Sequence, residues 1–389
     1  MAVSVGLIVA NIYYAQPLLA DIARSFGMSV TSIGVVAMLT QAGAGIGQLI
    51  FVPLGDIRER RRLITMMIAG AAIALALMAT AQNPIWLMVA ALCVGISVSI
   101  NHVILPFAAH LAPPAQRGRV VGTVISGMLL GILLARTFSG WVGAIFGWRA
   151  VFFVATGLMT ILAMLLHRSL PKSQPVTDLR WPELIRSVVP LWRELPVLRE
   201  AAFVSAMMFC TFSGFWTALV FFVEGPAYHY TSRGAGMFSL IGAGGALCAP
   251  WAGRMADRHG GRTSVVAALA TMVLAFLVLG LVGTKLAGLI AGVILLDLAM
   301  QICHVSNQTR IYALVPDARS RLNMIYMTCV FLGGATGSYS SVYWWNRAGW
   351  LGVCGFSMAV LFITIAGWWW MRDSQERPTS PPPTSAASL

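Results

Sequence analysis

Within an apolar stretch from about 286 to 309, four polar residues, Asp297, Gln301, His304 and Gln308, follow one another at spacings of 4, 3 and 4. On an α-helix that spacing puts all four on one face. A carboxylate, an imidazole and two amides in such a row can hydrogen-bond a polar solute or hand on protons. Asp297 stands 13 residues before Arg310. That is roughly 20 Å along a helix rising about 1.5 Å per residue, the depth of a bilayer midplane or just beyond it. No other acid lies so far from the end of an apolar stretch, and Asp21 and Glu224, near stretch ends, read as rim charges. An ionisable group at that depth points to function. Asp297 is therefore assigned the proton-coupling role together with His304 and Arg136; a structural ion pair or hydrogen-bonded cap is the plainer alternative.

Arg136 is the one cation inside an apolar stretch. It either pairs, with Asp297 or with an anionic group on a solute, or snorkels to the outer interface. His102 and His304 occupy matching places in the two halves of the chain. They suit solute binding, proton relay or plain packing; no Cys or carboxylate stands in register to complete a metal site. The remaining candidates for a cavity lining are Asn11, Tyr14, Gln41, Gln48, His102, Phe215, Trp216, Gln301 and Asn307. Aromatic and amide groups of this kind suit an amphipathic, neutral or weakly charged small molecule. The six cysteines lie singly in apolar runs and read as packed thiols. With no H-E-x-x-H, nucleophile elbow, zinc set or P-loop in the sequence, neither an enzyme nor an ATP-driven pump is expected, and no cofactor.

The elements that position these residues follow from composition. Of 389 residues, 58% are hydrophobic and only 10% charged, far from the roughly one-quarter charged of a soluble domain. Apolar stretches fall at about 2–20, 31–54, 63–81, 85–109, 119–142 and 147–167, and again at 200–222, 234–253, 263–283, 286–309, 321–344 and 350–371. Each can cross a bilayer, and in hydrocarbon only a helix satisfies its own backbone. The expected fold is all-α: twelve transmembrane helices, spans 1 to 12, in two pseudo-symmetric six-helix bundles at 1–167 and 200–371. A polar linker with an interfacial helix is expected at 168–199, and a disordered tail at 372–389. In span 5, Gly127, Gly131, Ala135, Ser139 and Gly143 recur every four residues, a small-residue seam for close packing.

The net charge of +13 is explained by topology. Of the 26 Lys and Arg, 20 fall on the side holding the linker and tail, five on the other, and one, Arg136, within a span. By the positive-inside rule both termini and the linker are cytoplasmic, which leaves no support for a nucleic-acid partner.

The halves repeat. Adding 202 carries Arg117 and Arg119 onto Arg319 and Arg321, His102 onto His304, and Gly147-Trp148 onto Gly349-Trp350; adding 201 carries Asp56 onto Asp257. Two similar halves are what alternating access requires, one moving against the other around a central site.

With these residues the chain resembles the major facilitator superfamily along essentially its whole length. The run Gly253 to Arg262, with Asp257, Arg258 and Arg262, is similar to the family's G-x-x-x-D-R-x-G-x-R gating loop. Its partner at 54–62 keeps Asp56, Arg60 and Arg61 but has Val52 and Glu59 where glycines would fall. The resemblance implies that these loops hold the cytoplasmic side closed through ion pairs. Residues 11–19 in span 1, with Asp297 and the polar face of span 10, resemble bacterial drug and metabolite exporters. In span 5, Ile132 and Arg136 stand where the antiporter pattern has proline and glycine. The expected function is proton-coupled efflux of a small organic molecule by a monomer in the bacterial inner membrane, with proton-coupled uptake of a sugar or organic acid as the alternative.

Overall fold

The computed structural model describes residues 1–113, 116–173, 180–246, 261–315 and 318–376. Ten helices among them are long and apolar enough to cross a membrane. One of these, Arg319–Glu376, is broken at Ala348 and Gly349 and makes two crossings. The described part of span 8, Ser232–Ala246, is a shorter further one. The protein is therefore an all-α membrane protein of twelve spans in two six-helix bundles, without a strand among the described residues.

Span 1 is longer than its apolar stretch and is interrupted. It runs Ala2–Tyr13, passes through a 3-10 turn at Gln16–Leu18, and resumes at Leu19–Phe26. Pro17 lacks the N–H that an α-helical ladder needs, so the ladder breaks one turn before it. Gly27 then ends the helix in the left-handed region, φ 60°. Span 2 is Val30–Ile57, started by the Ser29 hydroxyl accepting from the Ser32 N–H. Span 3 is Arg60–Ala79. Span 4 is split into Pro84–Val98 and Asn101–Leu111, and at the split the amides of His102 and Val103 donate to carbonyls three residues back. Spans 5 and 6 are Arg117–Phe146 and Trp148–Ser169.

The second half repeats the plan with spans 7, 9 and 10 at Pro196–Glu224, Gly261–Val282 and Leu286–Tyr312. Gly147 and Gly349, equivalent in the internal repeat, both take positive φ, 82° and 58°. Each reverses the chain between two spans in a conformation that a side chain resists. The linker holds two short helices, Trp181–Arg186 and Val188–Glu194, rather than the single one expected, and the last helix runs on to Glu376, past the expected boundary at 371.

The small-residue stripe of span 5 packs on span 1: Gly127 faces Ala2, Gly131 faces the Gly6 backbone, and Gly143 faces Leu18. The opposite face of the same span meets the other half, Gly140 lying against Ser232 and Gly236 against the Arg136 carbonyl. Span 2 meets span 11 in the same way, with Gly34 at Val342 and Gly45 at Thr328 and Phe331. These two seams join the bundles. A Cβ at Gly131 would collide with the Gly6 carbonyl, whereas one at Gly70 meets nothing. Gly131→Ala is therefore expected to destabilise the protein by ~1–3 kcal/mol through overpacking. Gly70→Ala should be neutral or stabilising by up to about 1 kcal/mol. Thermal unfolding in detergent checks both, and equal melting temperatures would refute the close-packed seam.

Candidate functional site

The centre of the molecule is organised around Arg136. Its side chain is 3% exposed, so it does not snorkel. The guanidinium lies between two aromatic rings, its Cζ 4.5 Å from the Tyr13 centroid and 4.2 Å from that of Trp216, where ring quadrupoles stabilise a cation. Its Nε donates to Gln16 Oε1 at 2.6 Å, and its Nη2 is buried without a partner. The break in span 1 sets this up, because Tyr13 and Gln16 flank it and both face span 5. A hollow of about 10 Å³ between Gln16, Pro17, Arg136, Trp216, Leu219, Val220 and Ala235 adjoins the guanidinium.

Asp297 reaches the same region from span 10. Its Oδ2 lies against Gly242 of span 8, which the Trp216 ring also approaches, and has no hydrogen-bond partner. It stands within electrostatic range of Arg136 and Tyr13 but does not close into an ion pair with Arg136. Asp297, Gln301, His304 and Gln308 are all half-buried, while Met300, Cys303 and Asn307 between them are buried, the pattern of one shared face. No hydrogen bond links Asp297 to Gln301 or His304 among the described residues.

His304 instead pairs with the Tyr326 hydroxyl at 3.3 Å, and His102 with Asn323 at 3.3 Å. The two histidines are within electrostatic range of each other across the halves. They form a second polar layer on the linker side of Asp297.

Several expected lining residues are placed elsewhere. Asn11 donates to Met159 on span 6 and to the Ile8 carbonyl, so it packs inside its own half. Tyr14 meets the Phe138 ring at a tilt of 56°. Phe215 packs on Trp350, because adjacent helical residues point about 100° apart and Trp216 takes the central face. Asn307, fully buried, donates to Ser205 and accepts from Arg310, which makes it structural. Gln41 bridges the halves to Ser213 at 3.3 Å. Gln48 is fully buried near the seam with both amide atoms unpartnered.

The residues expected to gate lie at the ends of the spans. Asp56 accepts from Arg60 at 3.4 Å and from Ser320 of the other half at 3.5 Å. Arg60 also donates to the Gly55 carbonyl; Arg61 is half-buried, and Arg262 lies exposed in the first turn of span 9. Asp257 and Arg258 lie outside the described residues. On the opposite side Arg24 bonds Asp21 and, at 2.7 Å, Glu224. The rim charges thus join spans 1 and 7 beside a cleft of about 400 Å³.

Sequence reasoning missed three contributors. Tyr13 and Gln16 were legible only as polar residues beside Pro17. Glu200, 1% exposed, accepts from Arg310 at 2.9 Å and from the Trp368 indole at 3.0 Å; its place at the very start of span 7 gave no hint of burial.

The family profile described as Major Facilitator Superfamily matches residues 1–248 and 202–388. The chain is 40% identical over 368 residues to the "Uncharacterized transporter YgaY" of Escherichia coli O157:H7, covering 95% of this chain and 93% of that one. It is 33% identical over 371 residues to the "Probable transporter SCO4007" of Streptomyces coelicolor, covering 95% and 85%. Its fold is similar to that of a bacterial homologue of the human lysosomal transporter Spinster in an inward-facing, unoccupied conformation, with TM-score 0.75, 13% identity and 98% of both chains covered.

Proposed function

The chain belongs to the major facilitator superfamily, and within it we propose a proton-coupled secondary transporter of a small organic molecule in which Asp297 takes and releases the proton. One observation carries this reading: a carboxylate deep in span 10 has a buried oxygen without a partner and stands within electrostatic range of a cation of the opposite half. A group so placed meets a different electrostatic environment in each state of alternating access, and that difference is what coupling requires.

The exporter-like spans 1 and 10 favour efflux in exchange for protons. The alternative, uptake of a sugar or organic acid together with protons, is favoured by a specific feature, the fixed positive charge of Arg136 beside the proton site. Flux in proteoliposomes under pH gradients of either sign decides between them, and transport indifferent to both gradients would remove proton coupling altogether. On this reading the protein works as a monomer in the bacterial inner membrane with linker and termini cytoplasmic. Labelling of a linker cysteine from outside intact cells by an impermeant reagent would overturn that orientation.

Asp56 acts as a gate acceptor between the halves. Asp56→Asn weakens a partly exposed contact worth about 0–1 kcal/mol, so it should slow turnover up to about fivefold and leave substrate affinity in detergent unchanged. Unchanged turnover would show that the basic loop serves orientation only.

A further inference from the structure

Two buried hydrogen-bond donors on neighbouring side chains at the centre of the molecule are unpartnered. Arg136 Nη2 and Trp216 Nε1 are buried and unpartnered, both side chains are 3% exposed, and the guanidinium lies over the Trp216 ring. Both residues border the hollow of about 10 Å³, room for roughly one oxygen atom. The one acceptor among its polar lining groups, Gln16 Oε1, already receives Arg136 Nε. A cation with a free N–H beside an indole N–H is complementary to an oxyanion, and Asp297 is not among the residues that line the hollow. We infer that Arg136 and Trp216 seat the carboxylate of an organic-acid substrate, one oxygen entering the hollow and the carbon skeleton lying along the seam between the halves. Arg136 supplies one fixed charge, matched by one carboxylate, and with Asp297 protonated the same charge repels a cationic solute.

The consequence for coupling rests on the reading of Asp297 as the proton carrier. With Asp297 ionised, it and Arg136 are together neutral; with Asp297 protonated, the site carries one net positive charge. The anion therefore binds more tightly to the protonated site, and by linkage the anion favours proton binding. Substrate and proton load together and cross in the same stroke, which selects the second of the two readings above, co-transport of substrate and proton, over exchange. Other charged and titratable groups on the elements around Asp297 stand as follows. Tyr13 lies on span 1 within electrostatic range. On span 7 Glu200 is paired with Arg310 of span 10, and on span 11 Tyr326 is bonded to Ser205 and His304. The described part of span 8 carries only Arg233, at its outer end, and span 9 has none beyond Arg262.

The test uses the full chain in nanodiscs and matched probes on common skeletons: benzoate, benzamide and benzylamine, then hexanoate, hexanamide and hexylamine, with binding measured by calorimetry where the carboxylates stay ionised. On at least one skeleton the carboxylate should bind about tenfold or more tightly than its amide, and the gap should widen as pH falls. Arg136→Gln should erase the preference and Arg136→Lys restore part of it. Trp216→Phe, which keeps an aromatic ring but removes the N–H, should weaken carboxylates about tenfold and amides less. If no carboxylate binds more tightly than its amide on either skeleton, or the amines bind best, the seat is overturned. If the preference persists in Asp297→Asn with its pH dependence intact, the seat stands and the proton reading of Asp297 falls.

Discussion

Asp297→Asn is expected to abolish substrate accumulation driven by a pH gradient while sparing exchange of labelled for unlabelled substrate at equilibrium. Asparagine matches the carboxylate in size, so the packing against Gly242 persists, but it carries no titrating proton. Equilibrium exchange needs the halves to rock and the substrate to bind; it needs no net proton movement. Loss of both activities would mean that Asp297 holds structure and not the proton. A mutant that still concentrates substrate under a pH gradient would remove it from the mechanism, leaving Asp21 and Glu224 as the next carboxylates to test. Because transport is a product of many steps, the diagnostic is the split between the two assays, with the variant's monodispersity as the folding control.

The largest effect on stability is expected at Glu200. Its carboxylate is almost fully buried and receives both the Arg310 guanidinium and the Trp368 indole. Arg310 in turn holds Asn307, which bonds Ser205, which receives the Tyr326 hydroxyl beside His304. Removing one member of a buried pair leaves the other charge uncompensated, at a cost of about 3–5 kcal/mol. Glu200→Ala should therefore lower the denaturant midpoint markedly. Arg310→Met combined with Glu200→Met should recover much of the loss, since two apolar side chains leave no stranded charge. A Glu200→Ala protein as stable as the parent would show that water already reaches this pair.

The placement of His304 on the inner polar layer depends on the same chain of bonds, and this is where sequence and tertiary structure divide. The spacing of Asp297, Gln301, His304 and Gln308 determined a common face, because helical periodicity is local. Hydropathy determined where the chain crosses the bilayer, because the hydrocarbon thickness fixes the length of a crossing and excludes unpaired backbone. The repeat determined that Gly147 and Gly349 would do the same work, and both take positive φ. Pro17 marked a weak point in span 1 but not its use.

What only the tertiary structure decided is which face of each helix looks at which neighbour. Nothing local says that Tyr13 rather than Tyr14 meets Arg136, that Trp216 rather than Phe215 looks inward, or that Asn307 spends its amide on Ser205. Each of these choices turns on a rotation of about 100° per residue. In a membrane, where apolar side chains are equally content against lipid or protein, hydrophobicity cannot supply that rotation. It is set by close contacts between backbones, Gly131 on Gly6 and Gly236 on the Arg136 carbonyl, made between residues far apart in the chain and fixed only once the bundles have packed.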